Sequence, residues 1–149
     1  AYFALAELMR REQRYPEADD YYVQALEKNP QSSWGWVLRG NTARERSDLE
    51  KAIVIYKMGI GNFPDNASLY FELAWAYHLN NQLQQAMAAI EEALRLMVTP
   101  NSNYYLRAGM IYELAGYKIQ ALINYQTGLI LDPQNKNILD AIDRLQKSQ

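Results

Sequence analysis

The sequence predicts an all-α, right-handed superhelix built from four two-helix repeats and closed by a C-terminal capping helix. Three observations carry this expectation. Small residues recur with one period: Ala18, Ala52, Ala86 and Ala121 stand 34, 34 and 35 residues apart, and Ala6, Gly40, Ala74, Gly109 and Ala25, Gly59, Ala93, Gly128 keep the same steps. Bulky residues keep them as well, in the series Tyr2, Trp36, Tyr70, Tyr105 and Tyr22, Tyr56, Ile90, Tyr125. Prolines at Pro30, Pro64 and Pro133 fall on the same grid, with Val98 and a displaced Pro100 where one is missing. A period shared by independent columns marks a stacked helical repeat.

Within each unit the apolar spacing is helical and breaks once in the middle. In the third unit Leu69 to Leu79 carries apolar residues at three- and four-residue steps, Asn80-Asn81-Gln82 interrupts, and Leu83 to Met97 resumes the pattern. Helices are therefore placed near 2–13, 16–29, 33–46, 48–62, 67–80, 83–97, 102–115 and 118–131. The repeats run over about 1–32, 33–66, 67–101 and 102–135 as a single array. The small columns belong where two helices cross closely, the bulky ones fill the remaining space, and each proline stops a second helix before the next unit. Residues 136–149 place Ile138, Ala141, Ile142 and Leu145 on one stripe and Asp140, Asp143, Arg144 and Lys147 elsewhere, the pattern of a terminal cap with one polar face. Ala1 opens the first unit about two residues short, so the chain is expected to be a fragment of a longer protein.

Fifteen Lys and Arg against seventeen Asp and Glu leave a net charge of −2 without a basic stripe, which argues against nucleic acid as a partner. No run approaches the ~18 apolar residues of a membrane span. A soluble protein is expected, its compartment open and the cytoplasm preferred. The absence of cysteine excludes disulfides and thiolate metal sites.

The order Trp or Tyr, Leu, Gly or Ala, Tyr, then Ala, Tyr, Ala, Pro resembles the tetratricopeptide repeat, and the resemblance covers almost the whole chain. Departures fall at Arg39, where the family usually has leucine, at Ala43 in place of the tyrosine kept at Tyr77 and Tyr112, and at Val98 in place of proline. The resemblance implies a concave face, formed by the first helices, that binds extended or helical peptides.

One residue along from the packing stripe Tyr2, Leu5, Ala6, Met9 lies a second stripe, rotated by ~100°. It reads Phe3, Glu7, Arg10, Arg11 in the first repeat and Val37, Asn41, Arg44, Glu45 in the second. The third has Phe71, Trp75, His78, Leu79, and the fourth Leu106, Met110, Glu113, Leu114. The later repeats thus present an apolar, aromatic surface, with Arg10, Arg44 and Arg107 placed to receive acidic groups. Phe71, Leu79, Leu106 and Leu114 have a competing reading as packing between neighbouring first helices; Trp75 and Met110 sit mid-stripe. Trp34, beside the structural Trp36, has no packing task and is a candidate at the groove edge. The candidate partner-binding set is Trp34, Asn41, Arg44, Phe71, Trp75, His78, Leu106, Arg107 and Met110. The carboxylate clamp of related chaperone cofactors matches only at Asn41 and Arg107, since Val37, Glu72 and Asn103 stand where it wants lysine or asparagine, and it is rejected.

No catalytic, cofactor or metal site is expected. His78 is the only histidine, so a histidine cluster or triad is out of reach. Gly59-Ile60-Gly61 is too short for a phosphate loop, and Glu91 and Glu92 read as a solvated outer face. Asn66-Ala67-Ser68 is a nominal glycosylation sequon at a turn between repeats. The expected function is a non-enzymatic scaffold that holds a protein or peptide in its groove. The alternatives are the substrate-recruiting or regulatory part of a larger enzyme, and a self-association module in which the apolar stripe or first helix pairs with a second copy as a homo-oligomer.

Overall fold

The computed structural model describes residues 1–148 and contains nine helices among them. They are α1 (Tyr2–Arg11), α2 (Tyr15–Lys28), α3 (Ser33–Glu45), α4 (Leu49–Asn62), α5 (Ala67–Leu79), α6 (Leu83–Leu96), α7 (Ser102–Leu114), α8 (Lys118–Leu131) and α9 (Lys136–Lys147). Consecutive helices pack as antiparallel hairpins, each first helix also touches the first helix of the next pair, and the result is an all-α superhelical repeat. The helix ends lie within one residue of the expected ones, except that α1 stops at Arg11, two residues early.

That early stop shows how every hairpin turns. Gln13, Ser47, Asn81 and Gly116 all have positive φ (62°, 67°, 56° and 87°), and they occupy one column of the repeat. The next residue's N–H reaches back across the turn in each case: Arg14 to the Met9 carbonyl (2.9 Å), Asp48 to Ala43 (2.9 Å), Gln82 to Tyr77 (2.8 Å) and Tyr117 to Tyr112 (2.9 Å). This Schellman closure satisfies carbonyls that a helix end leaves unbonded. The first helices after it start on side-chain caps. Ser32, Asn66, Asn101 and Asn135 accept from backbone N–H groups at 2.9–3.2 Å. The turn after α6 is the one that differs. Met97 is extended where Asn29, Phe63 and Asp132 return a backbone bond to their helices, so the inserted residue and the missing proline have one local consequence, and Val98 is left in solvent.

The small columns mark the closest helix approaches. A Cβ added to Gly40 would sit 2.2 Å from the Tyr56 ring, and one on Gly109 would sit 2.3 Å from that of Tyr125. A Cβ on Gly59 would sit 2.8 Å from Trp36, and one on Gly128 2.8 Å from Ile138 and 3.1 Å from Tyr105. Ala6, Ala18, Ala52, Ala74, Ala86 and Ala121 are fully buried, as are the rings of Tyr22, Tyr56 and Tyr125. Helix α9 covers the end of the stack with Ile138, Ala141 and Leu145. At the other end Ala1, Leu5 and Leu8 are exposed, although their counterparts in α5 (Leu69, Leu73, Ala76) are buried.

Ala86→Leu places three further carbons where α5 and α6 touch, and is expected to destabilise the fold by about 1–3 kcal/mol. Urea unfolding that gives the parent's midpoint for this variant would remove close helix contact as the reason for the small column.

Candidate functional site

The concave face is built from the first helices, and its polar residues are largely committed to one another. Tyr22 Oη donates to Glu7, Tyr56 Oη to Asn41 and Tyr125 Oη to Glu113 (2.7 Å), so in three of the four pairs a buried ring on the second helix finds its acceptor on the first helix of its own pair. Burial, reinforced by the carboxylate partner, raises the Tyr22 and Tyr125 hydroxyls above the ordinary tyrosine range. Ile90 stands in this column of the third pair and needs no acceptor, and the position that Glu7 and Asn41 hold on α1 and α3 is Trp75 on α5 and Met110 on α7.

Ion pairs link each first helix to the next. Arg10 bonds Glu7 (2.9 Å) and Glu45 (2.9 Å), joining α1 to α3. Arg44 Nη2 donates to Glu72 Oε2 (3.3 Å) and to Asn41 Oδ1 (3.2 Å), joining α3 to α5. Arg107 Nη1 lies 3.5 Å from the same Glu72 oxygen and donates to the Phe71 carbonyl (3.1 Å), joining α5 to α7. Arg144 bonds Glu113 (2.7 Å), joining α7 to α9. The expectation that Arg10, Arg44 and Arg107 stand free for acidic groups is corrected by these contacts: each is already held by a carboxylate of the chain. The cluster around Glu72 still carries two guanidiniums against one carboxylate. Burial, then the nearby Arg44, pulls Arg107 down to about 10, and it stays charged at neutral pH.

Around Arg107 the planar groups of α5 and α7 form one stack. Phe71 and Tyr104 lie ring on ring at 4.2 Å and 10°. The Arg107 guanidinium sits 3.6 Å above the Phe71 centroid and 4.8 Å from that of Trp75, and Trp75 stacks on His78 at 4.4 Å. The outer side of this stack is a hollow of about 290 Å³ lined by Phe71, Trp75, Leu106, Arg107 and Met110 together with Asn101, Asn103 and Tyr104. A second hollow of about 450 Å³ continues from Leu106 and Met110 to Tyr125, Asn137, Asp140 and Arg144. Met110, 36% exposed, stands on the ridge they share.

Five of the nine candidate residues therefore come together in one hollow. Asn41 and Arg44 reach it only through Glu72, and His78 supports Trp75 from behind. Trp34 lines neither hollow; it is 62% exposed at the start of α3, one turn before Val37. Val37, read as a groove residue, is buried, because it packs in the central core with Leu69 and Leu73. Leu79 and Leu114 are exposed rather than packed between repeats, and Phe71 is shared, half-buried against Tyr104 and open on the hollow. Reading by the residues missed the α9 wall. Asn137, Asp140 and Arg144 stand 34 residues after Asn103, Leu106 and Met110, and continuing those columns into the cap finds them.

A profile of the tetratricopeptide repeat matches residues 1–32, and a second profile with that description matches residues 21–54 and 56–88. The chain belongs to the tetratricopeptide repeat family. Human tetratricopeptide repeat protein 28 is 30% identical to it over 105 residues, which cover 69% of this chain and 4% of that protein. The chain spans less than a fifth of the length of the curated relatives it matches. Among solved structures, MamA superposes with a TM-score of 0.84 at 20% identity, over 96% of this chain and 83% of MamA. The second such domain of human RPAP3, solved in complex with the HSP70 peptide SGPTIEEVD, superposes with a TM-score of 0.70 at 26% identity, over 74% of this chain and 92% of that one. No helix among the described residues is long and apolar enough to cross a membrane, and no group of three or more His, Cys, Asp or Glu among them is placed to hold a metal ion.

Burial, and then the charge of Arg107, holds His78 below its ordinary range. The folded chain therefore resists a proton that the unfolded chain accepts near pH 6.5. The stability gained by keeping His78 neutral is complete above that value and falls as pH drops through it. Urea unfolding at pH 7.5 and at pH 5.5 should show a larger loss for the parent than for His78→Gln, whose remaining acid dependence comes from carboxylates such as Glu7 and Glu113 at lower pH. Equal losses would mean that the imidazole is not shielded.

Proposed function

We propose that the four helix pairs and α9 act as one array that holds a segment of a partner protein in the groove along α5, α7 and α9. The observation that carries this reading is the paired hollow around Met110: apolar rings and thioether at its centre, amide and charged groups of α7 and α9 at its rim. Such a surface fits a segment that inserts an aliphatic or aromatic side chain between Trp75 and Met110 and lies extended across Asn103 and Asn137. The surplus guanidinium around Glu72 favours acidic residues beside that anchor. The RPAP3 domain in complex with its peptide supports the use of this fold for peptides. The carboxylate clamp does not support it here, because Asn41 and Arg107 are bonded within the chain. The proposal is of a binding scaffold, not an enzyme, with no cofactor.

Panning a random peptide display library against the chain tests this reading. Selected peptides should share an apolar anchor and bind with a change in tryptophan fluorescence. Trp75→Ala with Met110→Ala should weaken them by at least ~10-fold, about 1.4 kcal/mol, and Met110→Glu alone, at a residue outside the core, should do the same without lowering the unfolding midpoint. Peptides that bind the parent and both folded variants equally would place the binding surface elsewhere.

A further inference from the structure

Helix α8 differs from the other second helices on the side away from the array. Ala121, Tyr125 and Gly128 face inward. Opposite them Ile119, Ile123 and Ile130 are 73%, 55% and 79% exposed, with the exposed Gln126 between them. At 100° per residue these four side chains lie within about 60° of one another, and their steps of four, three and four are those of a coiled-coil seam. The same columns carry exposed charges in the other second helices: Asp20 and Glu27 in α2, Glu50 and Lys57 in α4, Glu91 and Arg95 in α6. From Ile119 to Leu131 α8 has no charged residue at all. It lacks the acidic first turn and basic last turn that favour a helix, and it puts β-branched residues, which weaken one, into solvent. Local helix stability therefore does not explain the stripe. Repeat stacking does not either, since α9 already covers the stacking side through Ile138 and Ala141.

We propose that this outer face of α8 is a self-association surface, on which the α8 helices of two copies pair antiparallel about a twofold axis. Two features commit the occupant to a second copy. A twofold contact sets a helix against itself, so any charge near the axis meets its like, and α8 is the one second helix with no charge along this stripe. The stripe is also self-complementary in register. In an antiparallel pair centred between Asn124 and Tyr125, Ile119 meets Ile130 of the second copy at both ends, and Ile123 meets Gln126 of the second copy in the middle. One helix about 21 Å long offers less than the ~800 Å² per partner of a standard interface, so the dimer is expected to be weak, with a dissociation constant on the order of 10–100 μM. Pairing through this outer face leaves both concave grooves open, so a partner with two binding segments would engage the dimer with a gain in avidity.

Sedimentation equilibrium of the chain from about 1 to about 500 μM is the test. The parent should pass from monomer to dimer. Ile119→Glu should hold the chain monomeric; its site is exposed and in the first turn of α8, where an acidic residue favours the helix, so loss of the dimer with an unchanged unfolding midpoint cannot be ascribed to misfolding. Adding Ile130→Lys to Ile119→Glu places opposite charges face to face only in the antiparallel register and should restore the dimer. A parent that stays monomeric throughout, a dimer that survives Ile119→Glu, or a double variant that stays monomeric would each overturn the proposal.

Discussion

Each helix pair brings its two backbones so close that one face of the crossing has no room for a side chain beyond Cβ, and at Gly40 and Gly109 not even for that. In three of the four pairs the close approach seats a tyrosine of the second helix against the first with its ring fully buried. It also fixes the period. Every unit must return a small residue, a bulky one and a left-handed turn to the same places, or the next pair meets a surface of the wrong shape. The rest of the molecule is arranged around that crossing.

Its first consequence is for the groove. A buried tyrosine hydroxyl needs an acceptor, and the geometry of the crossing puts that acceptor on the concave side of the first helix. Glu7, Asn41 and Glu113 fill this role, and each is thereby withdrawn from a partner. In the third pair Ile90 has no hydroxyl to satisfy. The position that Glu7 and Asn41 hold in the first two pairs carries Trp75 in the third and Met110 in the fourth, where Glu113, one turn further on, takes the Tyr125 hydroxyl; Trp75 and Met110 both line the apolar hollow. The hollow thus opens where the polar acceptor of this column is missing or displaced by one turn.

The fold was legible because its determinants are columns. Five series of small and large residues gave the hairpins and their order, and the helix ends followed to within two residues. The left-handed turn residue was half hidden: Gly116 and Asn81 suit positive φ, whereas Gln13 and Ser47 give no local sign of it, and only the alignment of the four units shows that they share the position. The hollow was legible in part. Phe71, Trp75, Leu106 and Met110 follow from the stripe one residue along from the packing face. Val37 was misplaced because an aliphatic residue on that stripe reads the same whether it faces solvent or the neighbouring pair. The arginines were misread for a different reason: apart from Glu7 beside Arg10, their carboxylate partners sit on other helices, up to 35 residues away, and a single stripe does not reveal them.

Those carboxylates give the concave face a second task. Four successive ion pairs tie each first helix to the next, from Arg10 with Glu45 to Arg144 with Glu113. The outer two are partly exposed and are worth little in salt. The central two share Glu72 between two guanidiniums, and that of Arg107 lies against Phe71 and Trp75. A partner that brings a carboxylate to this point completes a charge balance the chain leaves short, without having to break the link between α3, α5 and α7. The spacing of the first helices and the charge offered to a partner thus depend on the same three side chains, Arg44, Glu72 and Arg107.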